Sequence, residues 1–420
     1  MKTFVKKLFI LTVTILFFQQ LSIAQFSVDA NIRNRFEMRD GYQKLVHQTD
    51  VPAVIIHQRT RLSFGYKSEF LKLKITPMDV RVWGDESIVS SSGVFGDDAS
   101  LSLYEGFAEI ALGKKHWISV GRQELKYDSE RLLSIRNWNT NGMTYDALVL
   151  KLKFEKWNIH IGSSWNSKAA TATNNYYPTN RIKSLNYVWA NHQINDFLKI
   201  SIMHLSSGVT QTDTTNTLNF RHTSGVYSTY QNKNLKIWGN AYYQYGLNQT
   251  GQKVSALLFD IDAGYKLGKL IPGIGFSYLS GNSKTGSDQK ADHLYDLLYS
   301  TRHTYFGGMD YFSNIPSNTK QGGLSDIFTY LKFNINQKVS INETAHYFML
   351  SQLNELTPNN KNLGFENDLV AKYKFSDWGA LEFGYLFIIP TESLKTINNI
   401  ADNNLGQFLY LQLIISPKLF

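Results

Sequence analysis

The sequence lacks cysteine altogether and has only eight prolines in 420 residues. The absence of cysteine excludes a disulfide framework, a thiolate zinc site and a catalytic thiol. After residue 24, no stretch approaches the ~18 consecutive apolar residues expected of a membrane-spanning helix. The chain therefore has neither the cross-links of a small secreted domain nor the pattern of a helical membrane protein.

The first 24 residues have the three parts of an export signal. Lys2, Lys6 and Lys7 precede an apolar stretch at 8–18, and Ser22-Ile23-Ala24 forms a small-x-small cleavage site. We predict a signal peptide at 1–24 and a mature protein at 25–420. Because no cysteine follows the cleavage site, a lipid anchor by that route is excluded.

The net charge of the chain is also modest. The formal net charge is +9, three units of it from the signal lysines, and the rest is not gathered into basic runs. A nucleic-acid partner is therefore not expected. An exported chain with 24 Tyr, 26 Phe and 8 Trp fits either a secreted all-β protein or an outer-membrane barrel with aromatic girdles.

The stretch Phe26–Arg39 alternates between an apolar and a charged face, broken only by Asn34. Such alternation predicts a β-strand. About fourteen alternating residues are enough to cross a bilayer at a tilt. We therefore expect the apolar face to contact lipid and the charged face to line a lumen.

The same pattern predicts eighteen strands, and the connections between them alternate in length. Short turns such as 232–234 and 376–378 alternate with long polar loops, and only 248–252 breaks the trend. This alternation is typical of short periplasmic turns and long extracellular loops. We predict an all-β fold, a transmembrane antiparallel β-barrel of about 18 strands. The predicted strands are 26–40, 54–69, 70–84, 100–112, 116–126, 142–154, 157–166, 183–193, 197–206, 219–231, 235–247, 253–266, 270–281, 324–335, 338–350, 363–374, 379–389 and 406–419.

Two strands show irregular faces. The polar face changes parity around Pro77, which predicts a bulge there. The faces are mixed near Ile118 and Arg122, so the inward placement of Arg122 rests on a weaker pattern.

Basic residues on the predicted inner face form the first candidate site. Guanidinium groups in a confined pore favour anionic solutes. The alternative is a structural network in which Asp29, Glu37, Glu105, Glu109 and Glu124 pair with them. The candidate lumen residues are Arg33, Arg35, Arg39, Arg59, Arg61, Lys72, Lys74, Arg81, Arg122, Lys151 and Lys153.

The longest loop, 282–323, is the second candidate. Ala291, Leu294, Tyr295 and Leu298 have helical spacing, so we predict a short helix. The loop either enters the mouth as a constriction, with Arg302, His303 and Asp310, or shields the rim from solvent.

Two segments carry a family resemblance. The stretch Tyr299–Phe312, together with Gly121–Leu125, Trp138 and Tyr145-Asp146, resembles Bacteroidetes-type members of the alginate export porin family. The resemblance implies an eighteen-stranded barrel, and the best-known members export the anionic polysaccharide alginate through an arginine-rich pore.

Other chemistry has weaker support. A barrel phospholipase or protease needs a Ser–His–Asn or Asp–His constellation, and His303 and Asp310, seven residues apart, do not form one. We predict no enzyme activity and no cofactor. Calcium binding by Asp97, Asp98, Asp288 or Asp292 matches no known spacing.

The sequence thus predicts a channel for passive diffusion or export of anionic or polar solutes in the outer membrane of a Gram-negative bacterium, with acidic oligo- or polysaccharide as one candidate solute. The alternative is a non-conducting barrel that serves as a subunit of an envelope complex. Expected partners are membrane lipid and lipopolysaccharide, the solute, and the assembly machinery through the strand ending at Phe420.

Overall fold

The computed structural model describes residues 25–84, 100–283 and 290–420. The predicted signal peptide, the connection 85–99 and the calcium candidates Asp97, Asp98 and Asp288 lie outside the described residues. Within the described ranges, no helix is long and apolar enough to cross a membrane.

Eighteen antiparallel strands form one sheet, each pairing with the next along the chain. The first strand also pairs with the last, from Ile32–Ile415 to Asp40–Gln407, so the sheet closes into a barrel. The strands are β1 (Gln25–Asp40), β2 (Ala53–Lys67), β3 (Leu71–Val82), β4 (Ser100–Ala111), β5 (Trp117–Gln123), β6 (Tyr145–Lys153), β7 (Trp157–Trp165), β8 (Ser184–Gln193), β9 (Leu198–Thr210), β10 (Leu218–Gln231), β11 (Leu235–Leu247), β12 (Lys253–Tyr265), β13 (Leu270–Leu279), β14 (Leu324–Asn334), β15 (Val339–Met349), β16 (Asn362–Lys374), β17 (Gly379–Pro390) and β18 (Gly406–Ile415).

The predicted barrel is confirmed, and every predicted strand has its counterpart. The largest differences are at two strand ends: β9 continues beyond its predicted end to Thr210, and β18 stops early at Ile415 because Pro417 cannot donate to the ladder. The last residues then pair with β1 instead: the N–H of Leu419 donates to the carbonyl oxygen of Val28 (2.8 Å).

Asparagine side chains shape three of the tight turns. The Oδ1 atoms of Asn195, Asn232 and Asn336 each accept the backbone N–H groups two and three residues later, at 2.8–3.0 Å. These Asx turns reverse the chain in a few residues. The long connections, as far as the structure describes them, lie at the opposite end of the barrel, which we call the loop end.

The irregularity at Pro77 lies on the neighbouring strand. The β3–β4 register shifts between Thr76 and Pro77 because Tyr104 of β4 is the extra residue. The β2–β3 register runs without a shift, and Gln58 pairs with Arg81. Since paired residues share a face, Arg81 points outward, where it bonds Asp79 at 2.9 Å. The inward placement of Arg81 was wrong because β3 keeps its parity.

Arg122 also points outward, contrary to the prediction. On β5, Ser119 and Gln123 are buried, whereas Val120 and Arg122 are exposed. Arg122 forms a bidentate ion pair with Asp146 (2.8 and 2.9 Å) on the outer face. The strand is distorted at Gly121, whose φ of +121° brings it so near the carbonyl oxygen of Gly106 that a Cβ would not fit.

Two long connections fold into the barrel. The first inner loop, residues 124–144, bonds strands spread around the circumference, which it can reach only from inside. The second inner loop, residues 290–323, is also largely buried and includes α1 (Ile315–Asn318). A second helix, α2 (Glu392–Asn398), lies in the β17–β18 connection. The first inner loop contacts β1 through Arg33, β7 through His160, β8 through Trp189, β11 through Asn240 and β12 through Asp260.

The predicted helix at 291–298 is wrong. Asp292 instead forms a parallel bridge with Val254, and its Oδ1 accepts the N–H of Leu294 (3.0 Å). The bridge to Val254 at the start of β12 and the hydrogen bond within the segment hold the backbone in a non-helical conformation.

Candidate functional site

Four arginines on β1 and β2, the arginine wall (Arg33, Arg35, Arg59 and Arg61), lie inside the barrel and are 3–8% exposed. All four donate to main-chain carbonyl oxygens of the segment 137–141 in the first inner loop. The bonds run from Arg33 to Asn137, Trp138 and Asn139, from Arg35 to Trp138 (2.9 Å), from Arg59 to Asn137 (3.4 Å) and from Arg61 to Asn141 (3.1 Å).

In the described part of the chain, one buried carboxylate is bonded to this cluster. Glu37, fully buried, accepts from Arg35 (2.5 Å) and from Arg39, and lies 3.5 Å from Nε2 of His57. The remaining acceptors of the arginine wall are neutral oxygens, apart from the weak Met78 sulfur contact of Arg61. A neutral carbonyl satisfies a guanidinium geometrically but cancels none of its charge. This part of the lumen therefore retains net positive charge.

The lysines of β3 and β6 behave differently. Glu109 accepts from Lys72 (2.7 Å) and Lys151 (2.5 Å), and Glu105 pairs with Lys74 (2.6 Å). Here the predicted salt-bridge network is present. Lys153, at the end of β6, is exposed.

An aromatic stack joins the wall to both inner loops. The Trp138 ring lies between the guanidinium of Arg35, at 3.9 Å, and the His303 ring, at 3.6 Å and nearly parallel. His303 in turn contacts Asp310 (3.2 Å), which accepts from the hydroxyl of Tyr42 (2.5 Å). Burial and the neighbouring Asp310 raise the pKa of Tyr42 well above its ordinary value, so the hydroxyl stays a donor. His303 and Asp310 thus lie inside the barrel, where the second inner loop contacts the first.

On another side of the barrel, the first inner loop is held by an ion pair. Arg131 donates from Nε and Nη2 to Asp260 of β12 (2.7 and 2.6 Å), and both side chains are essentially fully buried. Its guanidinium also lies 3.6 Å from the centre of the Tyr305 ring. Burial alone would lower the pKa of Arg131, but Asp260 outweighs it, and the pKa is raised.

Two carboxylates of β16 hold the second inner loop by its backbone. Glu366 accepts the N–H of Met309 and Asp368 the N–H of Gly308, both at 2.8 Å. Gly307, at φ +80°, lies so close to Glu366 that a Cβ would collide with the carboxylate. One oxygen of each carboxylate, Oε2 of Glu366 and Oδ1 of Asp368, is buried without a partner among the described residues.

The two inner loops separate two cavities. The outer cavity, about 970 Å³, lies at the loop end, and the inner cavity, about 510 Å³, reaches Lys236 and Tyr330 nearer the tight turns. Arg136 and Arg302 form part of the outer floor. Burial and the neighbouring Arg302 lower the pKa of Arg136 to about 10, and burial lowers that of Arg302. Arg302 therefore lies on the outer-cavity side of the second inner loop.

Asp292, the one described calcium candidate, already has partners. It contacts Arg221 at 3.3 Å and accepts from Asn248 and Asn282 at 3.1 and 3.0 Å. Burial would raise the pKa of Asp292, but these hydrogen bonds and that of Leu294 outweigh it and lower the pKa.

Sequence reasoning missed lysines on the later strands. They share parity with buried lumen residues and lie near the tight turns, a signal that could have been read from the sequence. For example, Lys199 lies two residues from Ser201, which donates to Asp128 of the first inner loop (2.6 Å). The additional lumen-facing lysines are Lys199, Lys236, Lys266, Lys332, Lys372 and Lys374.

The motif residues Gly121, Gln123, Trp138, Tyr145 and Asp146 all lie at or within the first inner loop. Gln123 is the last residue of β5, and its side chain donates to the carbonyl oxygen of Ala147 (2.9 Å). Tyr145 is the first residue of β6, and its hydroxyl donates to the carbonyl oxygen of Ser134 (3.0 Å). The motif therefore marks where this loop leaves and rejoins the wall.

Comparison with solved structures shows the fold. The chain is similar to Pseudomonas aeruginosa OpdL, with a TM-score of 0.64 and 13% identity over 94% of this chain and 99% of that one. Acinetobacter baumannii OccAB1 gives a TM-score of 0.64 and 13% identity, over 96% and 100% of the two chains. Pseudomonas aeruginosa OccK8 (OprE) gives 0.64 and 11%, over 94% and 99%.

Among curated proteins no sequence matches significantly. The family model described as alginate export matches residues 24–406, which include seventeen of the eighteen strands in full. With this match and the closed eighteen-stranded porin-type barrel, the chain belongs to the alginate export family of outer-membrane β-barrels.

Proposed function

We propose that this protein is a channel for anionic and polar solutes in the outer membrane of a Gram-negative bacterium. The observation that carries the proposal is the arginine wall, whose acceptors are mostly neutral carbonyl oxygens. Charge that is partly desolvated and not cancelled attracts anions more strongly than the same charge in water. Rings and walls of Arg and Lys select anions in the pores of other proteins.

The wall does not face an empty pore, because the first inner loop lies against it. A solute therefore passes between the inner loops or displaces the segment 137–141. An anionic group competes well with this segment, since a charge-assisted hydrogen bond is roughly twice as strong as a neutral one.

The test is the reversal potential of the purified protein in planar bilayers under a KCl gradient. We expect anion preference, and we expect the double variant Arg59→Gln/Arg61→Gln to reduce it. The matched control is Arg122→Gln, which removes a positive charge from the outer face and should leave the preference unchanged. Cation preference in the wild type, or an equal effect of the control, would contradict the proposal.

A non-conducting barrel is the second candidate, and the two loops crossing the lumen favour it. Such a barrel would be a structural or partner subunit of an envelope complex, in contact with lipid, lipopolysaccharide and the assembly machinery. Complete absence of conductance in the wild type and in variants with released loops supports this candidate. Catalysis is not proposed, because the family and the fold are those of transport proteins.

A further inference from the structure

Five lumen-facing lysines near the tight turns, which we call the lysine ring, are Lys67, Lys199, Lys236, Lys266 and Lys332. They come from β2, β9, β11, the residue after β12, and β14, and so are spread over much of the circumference. All five are exposed, whereas residues of the same parity higher on these strands are buried. The ring therefore lies in the wide, solvated mouth of the lumen at the turn end.

The inner face of each strand is set by its contacts with the inner loops. Lys266 has the parity of Asp260, which binds Arg131. Lys236 has the parity of Asn240, whose Nδ2 donates to Ser129 at 3.3 Å. Because side chains alternate along a strand, the lysines point into the same lumen as these partners.

None of the five lysines has a carboxylate within 4.0 Å among residues 25–84, 100–283 and 290–420. Lysines nearby do: Lys72 pairs with Glu109, Lys74 with Glu105, and Lys372 lies 3.8 Å from Glu382. The ring lysines are therefore not in direct ion pairs, although Asp262 lies near enough to Lys236 to interact with it through space.

The strand register sets the distance between two of the ring lysines, Lys266 and Lys332. Lys332 pairs with Ile271 of β13, and the turn bonds between Leu267 and Leu270 place Lys266 on the other side of Ile271. Two strand spacings separate these lysines, or roughly 10 Å between backbones. Lysine side chains can close that gap around one multivalent anion.

A cavity of about 480 Å³ opens at the same mouth. It is lined by Lys67, Lys72, Lys74 and Lys418, together with Asp29 and Glu109. It provides space for a ligand of several atoms beside the ring, and its lysines exceed its acids.

We propose that the lysine ring is a docking site for multivalent anions at the turn end, which is the periplasmic end in barrels of this kind. The ring captures such anions from the periplasmic side and passes them toward the arginine wall. The inference deepens the proposed channel function and rests on it for passage, although binding at the ring does not require conduction.

The first experiment measures binding without a membrane. Isothermal titration of the detergent-solubilised protein with sodium triphosphate compares the wild type with Lys199→Gln/Lys266→Gln/Lys332→Gln. We expect about tenfold weaker binding in this variant, from three solvated ion pairs of modest strength each. The matched control, Lys44→Gln/Lys253→Gln/Lys320→Gln, removes three exposed lysines from the loop end and should bind as the wild type does. Absence of binding in the wild type, or equal weakening in both variants, overturns the proposal.

The second experiment measures sidedness. Since the chain has no cysteine, Thr250→Cys in a loop-end connection can be biotinylated, and streptavidin then reports which way each channel is inserted. We expect triphosphate to block current at lower concentration from the turn end than from the loop end, with the difference lost in the ring variant. Equal block from both ends overturns capture at the turn end. A protein that binds triphosphate at the ring but does not conduct refutes the channel function alone.

Discussion

The arginine wall on β1 and β2 and the acidic positions on β12 and β16 both hold an inner loop, but they do so differently. The wall donates to main-chain carbonyl oxygens, whereas Glu366 and Asp368 accept main-chain N–H groups. Asp260 differs again, because it binds the charged side chain of Arg131.

These differences decide where charge remains in the lumen. Backbone partners leave the charge of the wall in place, whereas Arg131 cancels that of Asp260. An arginine that donates to the backbone of a loop therefore has two roles: it anchors the loop, and it keeps its own positive charge. The net charge of the lumen cannot be obtained by pairing strand residues with one another, because the loops supply many of the partners.

Removal of Arg131, the charged partner of Asp260, should have the largest effect. In Arg131→Met, Asp260 is left buried and unpaired, a situation that costs about 3–5 kcal/mol. We expect the first inner loop to leave β12, so that a spin label at Asn139→Cys becomes more mobile and single-channel conductance rises.

The matched control is Arg122→Met, since Arg122 is an exposed arginine on the outer face of the barrel. It should change neither label mobility nor conductance. If the label stays immobile in Arg131→Met, the wall alone suffices to hold the loop and the contrast between the two sides fails.

The backbone anchors on β16 should show a smaller effect that depends on the replacement. Glu366→Ala removes the acceptor of the Met309 N–H, and leaving a buried donor unsatisfied costs about 1–3 kcal/mol. Glu366→Gln keeps an acceptor and adds a donor beside Asp368, so docking should be preserved. Hydrogen exchange at the Met309 amide measures both. Faster exchange in the Gln variant as well would mean that the negative charge, and not the acceptor, holds the second inner loop.

The strands were predictable because a period of two is imposed locally by the boundary between lipid and lumen. The same rule failed for Arg81 and Arg122, where polar residues face outward in pairs with Asp79 and Asp146. An ion pair on the outer face satisfies both charges, so parity by polarity is misleading there. Gly121 adds a distortion that no periodicity contains.

The inner loops were not predictable in the same way. The spacing of Leu294, Tyr295 and Leu298 suits a helix, yet burial against the barrel wall and the bonds of Asp292 give an irregular segment. The spacing of apolar residues indicates that they are buried, but it does not determine whether the backbone that carries them is helical. His303 and Asp310 were predicted to be functional from their chemistry and their position in the long loop, and that role stays a prediction. Glu366 and Asp368 were missed because their partners are backbone groups.

The smallest effect should come from Asp128, which joins the first inner loop to β8 and β9. Its carboxylate accepts from Ser201 at 2.6 Å and Trp189 at 3.0 Å, yet burial raises its pKa above the ordinary 3.8. The docked loop therefore binds a proton more readily than a released loop does, so docking is strongest below pH 3.8 and weakens as pH rises through the raised pKa. We expect the label at Asn139→Cys to become slightly more mobile over that rise in the wild type, and Asp128→Asn to remove the dependence. Asp213→Asn, which changes an exposed loop acid, should retain the pH dependence. An unchanged pH profile in Asp128→Asn would mean that a different group titrates.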